Sequence, residues 1–305
     1  MSQLLKLTGT ITDPSANVIF VHGLGGGPRD TWRRASDPSS FWPLWLAEDI
    51  KGLMVYSVGY EAPISRWRGE AMHLTDRATS LLARLSVEPD LQHGPLILIG
   101  HSLGGLVIKQ LLRTAESEAR NSAEAASLFR RVTKVVFLAT PHAGSGLAVC
   151  GDRLRILIHP SAATTSLLRN DPNLRDLNRW YCSWANAANI NHLILVETKP
   201  TRILGMIVKP DSSDPGFVGS RPVPIDADHG EICKPRDKSS DVYLQVRAFI
   251  ESRINPPSRL GERHLDALTA TNIQTGAVNI INNITINING NREKSLEQLL
   301  KGLSK

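Results

Sequence analysis

Residues 96–99 are Leu-Ile-Leu-Ile, and this apolar run ends in Gly100-His101-Ser102-Leu103-Gly104-Gly105. The pattern is that of a nucleophile elbow, in which a buried strand stops, the chain turns sharply, and a helix begins with a serine at the apex. Glycine is needed two residues before and two after the serine, because a side chain there would meet neighbouring backbone in so tight a turn. Gly105 extends the same clearance into the helix start. Leu106, Val107, Gln110, Leu111 and Leu112 then fall at helical spacing. A bare Gly-x-Ser-x-Gly is common by chance, so its place between an aliphatic strand and an amphipathic helix gives it weight. The alternative is a glycine-rich turn around an inert serine.

A second element lies upstream. Val18-Ile19-Phe20-Val21 reads as another buried strand and runs into His22-Gly23-Leu24-Gly25-Gly26-Gly27. Chains with the elbow form an oxyanion hole from the N–H after the nucleophile, here Leu103, and an N–H of a His-Gly-rich loop after an early strand, here Leu24. Each such donor is worth about two to three orders of magnitude in rate. A glycine loop after a strand could instead cradle a phosphate. The spacing argues against it: there is no Gly-x-x-x-x-Gly-Lys-Ser/Thr and no Gly-x-Gly-x-x-Gly opening a helix.

Five separated motifs carry a family resemblance. They are Val-His-Gly-Leu-Gly-Gly at 21–26 (with Thr31-Trp32 and Phe41-Trp42), the elbow at 100–105, Ala-Thr-Pro-His-Ala-Gly-Ser at 139–145, Glu-Thr-Lys-Pro-Thr at 197–201 and Asp-His-Gly-Glu-Ile-Cys-Lys at 228–234. In this order they resemble the α/β-hydrolase superfamily, in the branch of lipase-like serine esterases that includes SERAC-type proteins and the hydrolase effector domains associated with NLR-type immune receptors. The resemblance spans about residues 10–252. It implies a fold and a reaction class, and it leaves the substrate open.

The fold orders its triad Ser…acid…His, so the base is sought after Ser102. His22, His73, His93 and His101 precede the serine; His142, His159, His192, His229 and His264 follow it. His264 lies beyond the expected domain end, His159 in a variable region, and His192 at a strand start. His142 is expected near the site but precedes every acid candidate. His229, in Ile-Asp-Ala-Asp-His-Gly after the last strand-like segment, is the expected base, against a surface histidine without a role. Strands after the elbow are expected at Val135–Ala139, Leu193–Val196 and Met206–Lys209. The acid normally follows the second, which points to Glu197; it would fix the tautomer of His229 and stabilise its imidazolium. Asp214 is the alternative acid and Asp211 a further rival.

The chain has 305 residues, enough for one large α/β domain and a short appendage. No apolar run is long enough to span a membrane, and the N-terminus lacks the apolar core of a signal peptide. Cys150, Cys182 and Cys233 are too few and scattered for a disulfide framework or a zinc site, with Cys150 and Cys182 read as packing residues. A reducing, cytoplasmic setting is expected, peripheral to a membrane at most. The formal charge of +6 is dispersed, at Arg33-Arg34, Arg66/Arg68, Arg130-Arg131 and Lys234/Arg236/Lys238. No aromatic-interleaved basic stripe suggests nucleic acid. Weak attraction to an anionic membrane surface is allowed and would suit a lipid substrate.

Strands and helices alternate through Leu53–Val58, Ala71–Leu85, Leu96–Ile99, Leu103–Ala115 and Val132–Leu138, which argues a mostly parallel sheet flanked by helices. The expected α/β-hydrolase domain is 1–254. Residues 140–191 form an insertion without strand signal, carrying Leu154, Ile156, Leu157, Leu167, Leu168, Leu177, Trp180, Tyr181 and Trp184. It reads either as a cap or lid over the serine or as helices packing on the sheet edge. Trp32, Phe41, Trp42 and Trp45 read as core rather than substrate wall. A helix at Gln245–Ile254 ends the domain, and 255–270 is a linker opened by Asn255-Pro256-Pro257-Ser258.

Residues 271–291 are rich in Asn and Ile with almost no charge. Val278, Ile280, Ile284, Ile286 and Ile288 share one face at period two with Asn282; Asn279, Asn283, Thr285, Asn287 and Asn289 line the other. A proline-free, uncharged segment with Asn ladders meets the criteria for cross-β stacking. It also resembles the prion-like motifs through which NLR-type receptors template their effectors, which implies self-assembly or such a receptor as partner. The other reading is a hairpin or edge strand docked on the domain, followed by a short amphipathic helix within 292–305.

These readings converge on a serine hydrolase cleaving carboxylic, and by resemblance lipid, esters through an acyl-enzyme, with no metal or organic cofactor. The alternative is a signalling or adaptor protein that works through tail assembly, its hydrolase domain latent or inert.

Overall fold

The computed structural model describes residues 3–35, 37–60, 74–142, 172–202, 205–208, 213–217 and 221–252. Seven strands form one sheet: β1 (Gln3–Lys6), β2 (Ala16–Val21), β3 (Leu53–Gly59), β4 (Leu96–His101), β5 (Val132–Leu138), β6 (Asn191–Glu197) and β7 (Val223–Ile225). Their order is β1-β3-β2-β4-β5-β6-β7. β1 runs antiparallel to β3 and every other pair is parallel. β2, β3 and β4 are buried along their whole length, which is why they read as continuous aliphatic runs.

Alternate residues of these strands face different helices. Val18, Phe20, Val55, Ile97, Ile99 and Val136 share a core with Trp42 and Leu46, near α1 (Pro43–Asp49), and with Val242, Tyr243 and Val246 of α6 (Asp241–Glu251). Trp32 and Trp42 stand edge-on to Phe20 at 5.0 and 4.9 Å, and Trp45 packs edge-on against Tyr243. Trp32, Phe41 and Trp42 are core, as expected, whereas Trp45 is partly buried against that core. Elsewhere α2 (Leu74–Ser86), α3 (Leu103–Glu118) and α4 (Ala123–Arg131) pack on one another, with α3 against β2 and β4.

Within the 140–191 insertion residues 140–142 and 172–191 are described, and α5 (Pro172–Ala187) packs against α3 and anchors Trp180 Nε1 on Glu116 Oε2 at 2.8 Å. Residues 143–171, with Cys150 and His159, lie outside the described residues, as does everything beyond 252, including the 255–270, 271–291 and 292–305 segments.

Two expectations need correction. Met206–Lys209 does not make a strand: the described residues, 206–208, lie outside any strand, and β7 comes later, at Val223–Ile225. The reason is that the Ile207 and Val208 N–H groups donate to a side-chain carboxylate instead of a strand ladder. The last helix begins at Asp241, ahead of Gln245. Among the described residues no helix is long and apolar enough to cross a membrane.

Candidate active site

Register brings two key loops side by side. β2 and β4 are hydrogen-bonded neighbours with Val21 opposite Gly100, so the His22–Gly27 loop and the Ser102 turn leave the same edge of the sheet. This is where sheet order reverses, and parallel α/β sheets build sites in the crevice beyond such carboxyl ends. β5 ends beside β4, with Leu138 opposite His101, and Ile225 of β7 lies opposite Glu197.

Ser102 takes φ 54°, ψ −126°, a conformation a side-chain-bearing residue adopts only when its surroundings enforce it. They do: the Ser102 N–H donates to the Leu138 carbonyl at 2.9 Å, and the flanking glycines admit contacts no Cβ could share. A Cβ on Gly100 would lie 2.7 Å from the Gly105 nitrogen, and one on Gly104 would strike the carbonyl oxygens of Val21 and His22.

Three predicted residues meet. His229 Nε2 lies 3.0 Å from Ser102 Oγ, and His229 Nδ1 lies 2.6 Å from Glu197 Oε2. All three are buried. The carboxylate can only accept, so His229 Nδ1 carries the proton and Nε2 faces the serine hydroxyl as an acceptor. Glu197 Oε1 accepts from the N–H groups of Ile207 and Val208 at 2.6 and 2.8 Å. Asp214 is elsewhere: exposed, it accepts from the Gly216 N–H at 2.8 Å in its own turn. Asp211 lies outside the described residues.

Leu103 is the first residue of α3, so its N–H has no acceptor within the helix. Leu24 sits in the opposing loop and, with Gly23, Gly25 and Gly26, lines a cleft of about 510 Å³ that also reaches His101, His229 and Thr201. His22 stiffens this loop. Its Nδ1–H donates to the Gly23 carbonyl at 2.8 Å, its ring stacks on Tyr60 at 4.3 Å, and the Tyr60 hydroxyl donates to the His22 carbonyl. Burial lowers the His22 pKa to about 4, so the ring is neutral at physiological pH.

The loop holding His229 is tied on both sides. Asp228 Oδ1 accepts from the Gly230 and Glu231 N–H groups, the Ala227 carbonyl accepts from Thr198 and Lys199, and the Trp42 indole donates to the Cys233 carbonyl at 2.9 Å. Cys182 and Cys233 are free thiols.

His142 is buried and accepts from the Lys109 amine at 2.7 Å. His192 opens β6 and meets the Tyr181 hydroxyl at 3.0 Å. Sequence reasoning missed the two amides on Glu197, the Tyr60 support of His22, and a contact of His101 with the His229 carbonyl at 2.9 Å. The only hint of the last was a polar ring beside the nucleophile. Among the described residues no cluster of His, Cys, Asp and Glu has the makings of a metal site.

A buried serine, an imidazole accepting from it and a carboxylate behind can abstract the hydroxyl proton as oxygen attacks a carbonyl. The model of a family described as the alpha/beta hydrolase family matches residues 18–228. Mouse (Mus musculus) protein SERAC1 is 34% identical over 258 residues, covering 77% of this chain and 38% of that protein. The chain thus spans well under half the length of the curated relative. Phospholipase PlaB from Legionella pneumophila superposes with a TM-score of 0.56 at 13% identity, over 85% of this chain and 63% of that one. Bacillus licheniformis lipase BlEst2 in its propeptide form gives 0.54 at 15% identity, over 84% and 54%.

Proposed function

Because the chain belongs to the alpha/beta hydrolase family, we propose that it is a serine esterase that cleaves carboxylic esters through an acyl-enzyme. The observation that carries this reading is the continuous line Glu197–His229–Ser102, at 2.6 and 3.0 Å. Ser102 Oγ attacks the ester carbonyl while His229 Nε2 takes its proton, and Glu197 holds the imidazolium that results. The tetrahedral oxygen lies between the N–H groups of Leu24 and Leu103, which stabilise the charge as it forms. Collapse breaks the bond to the alcohol, which leaves with the proton from His229. Water, deprotonated by the same imidazole, then releases the acid and restores Ser102.

A lipid acyl group is the substrate we favour, on the family resemblance carried by the motifs. The relatives named above include a phospholipase and a lipase, whose likeness to this chain is one of fold. We also propose that the Asn/Ile-rich segment at 271–291 assembles the protein, on itself or on a receptor, and thereby controls its activity.

The test is labelling of the full chain by a fluorophosphonate probe, with Ser102→Ala alongside. Labelling and ester turnover that disappear together in the variant support the reading, with turnover falling by about four orders of magnitude or more. Undiminished ester hydrolysis by Ser102→Ala refutes it.

A further inference from the structure

His101 is the variable residue of the Gly-x-Ser-x-Gly turn, and the reaction described above makes no use of it. It ends β4, next to Ser102, and is buried. Its Nε2 lies 2.9 Å from the main-chain oxygen of His229. A carbonyl oxygen only accepts, so Nε2 carries the proton and Nδ1 is bare. The ring is wedged between two partners: the His229 imidazole at 5.0 Å between centroids, and the fully buried Trp32 indole, edge-on at 6.4 Å.

The other ties on this loop grip its neighbours. The Asp228 carboxylate, the Ala227 carbonyl and the Cys233 carbonyl hold residues before and after His229. Among the described contacts, His101 is the group that holds the main chain of His229 itself. That matters because the His229 ring must reach Glu197 and Ser102 at once. A shift of about 1 Å in such a group costs roughly a hundredfold in rate.

We infer that His101 is a positioning residue for the base: its Nε2–H fixes the His229 carbonyl, so that nucleophile and base are joined through residues 101 and 229 as well as through their own hydrogen bond. The inference rests on the esterase reading above. Imidazole suits this task because the donor must remain uncharged beside a ring that becomes positive in each cycle. Burial, and next the nearby charge of His229, hold the His101 pKa down to about 3, while Lys234 and His22 act in the same direction. Lysine or arginine at 101 would place a fixed charge against the imidazolium and oppose its formation.

The experiment compares the full-length wild type with His101→Leu and His101→Gln, reading kcat and KM on a p-nitrophenyl ester, the fluorophosphonate labelling rate and Tm. Leucine fills the space without a donor, whereas the glutamine amide brings an N–H to about the reach of Nε2. Expected for His101→Leu is a kcat lower by about 10- to 100-fold with labelling slowed in parallel, at a KM within about threefold of wild type. His101→Gln recovers kcat to within about threefold of wild type. A wild-type kcat in His101→Leu overturns the inference. So does an equal loss in both variants at wild-type Tm.

A wild type that neither turns over esters nor takes the probe, before and after seeding with a peptide of residues 271–291, refutes the esterase reading instead. Nitrogen-15 NMR of the imidazole rings then judges the hydrogen bond without turnover. Expected is a His101 ring held in the Nε2–H form from about pH 5 to 9. An Nδ1–H tautomer, or titration of that ring within the range, overturns the inference.

Discussion

The Lys109 amine donates to His142 Nδ1 at 2.7 Å and to Asn178 Oδ1 at 2.6 Å, joining α3, the chain after β5 and α5 in the buried interior. It sits 5.3 and 5.1 Å from the ring centres of Phe137 and Tyr181. Neither of its hydrogen-bond acceptors is a carboxylate, and burial lowers its pKa to about 7. An unfolded lysine titrates near 10.4. Between those values the unfolded chain binds one more proton than the folded chain, so stability rises with pH across that window. Below about pH 7 both states hold the proton and the full cost of burying the charge is present. Denaturant titrations from about pH 6 to 10 check this. Lys109→Met is expected to flatten the rise, losing stability relative to wild type most at high pH, where His142 and Asn178 lose a neutral donor. Parallel curves for the two proteins refute the assignment.

Gly104 supports a second prediction. Its missing side chain lets α3 start against the carbonyls of Val21 and His22, and backbone cannot yield as a flexible side chain can. Gly104→Ala must push back the loop that carries Leu24. The expected cost is about 3 kcal/mol or more, read as a fall in Tm together with slower fluorophosphonate labelling. Gly9→Ala is the control: a Cβ there meets nothing within 4 Å, and its Tm should match wild type. An unchanged Tm in Gly104→Ala would contradict the packing described.

What the chain reveals before folding depends on how local the physics is. The elbow was legible because its steric demands fall within six residues, 100–105, and counting strands pointed to Glu197, the carboxylate that lies against His229. Met206–Lys209 misled because a short, largely apolar run looks like a strand until the Ile207 and Val208 amides are found on Glu197. The His101–His229 contact spans 128 residues. It exists only because sheet order brings the ends of β4 and β7 to one crevice, and no spacing rule encodes that. The bond from the Lys109 amine to His142 likewise joins α3 to the chain after β5, 33 residues on, and no motif announces it.

The Asn/Ile-rich segment gives a third prediction. Ile284 and Ile286 share the apolar face of 271–291, and stacked β-segments of this kind depend on dry, uncharged interfaces. Full-length protein is expected to form thioflavin-positive fibres when seeded with a peptide of that segment, and Ile284→Asp with Ile286→Asp to abolish this. Ester turnover measured before and after seeding shows whether assembly controls the hydrolase. Fibres formed equally by the double variant would remove the segment from the account.

The sharpest separation concerns the acid. In Glu197→Gln, Oε1 can still accept from Ile207 and Val208, but the amide nitrogen would face His229 Nδ1 at the place now held by Oε2. An amide donor there favours the tautomer with Nδ1 bare and Nε2 protonated, leaving the serine without an acceptor. The same carboxylate-to-amide change in the triad of serine proteases costs about 10⁴ in kcat. A fall of about 10³ to 10⁴, with KM little changed, is therefore expected for Glu197→Gln. Asp214 is exposed and bonded within its own turn, so Asp214→Asn should keep kcat within about twofold of wild type. Steady-state kinetics on one ester with both variants decides between the two carboxylates. A large loss in Asp214→Asn with Glu197→Gln near wild type would reverse the roles.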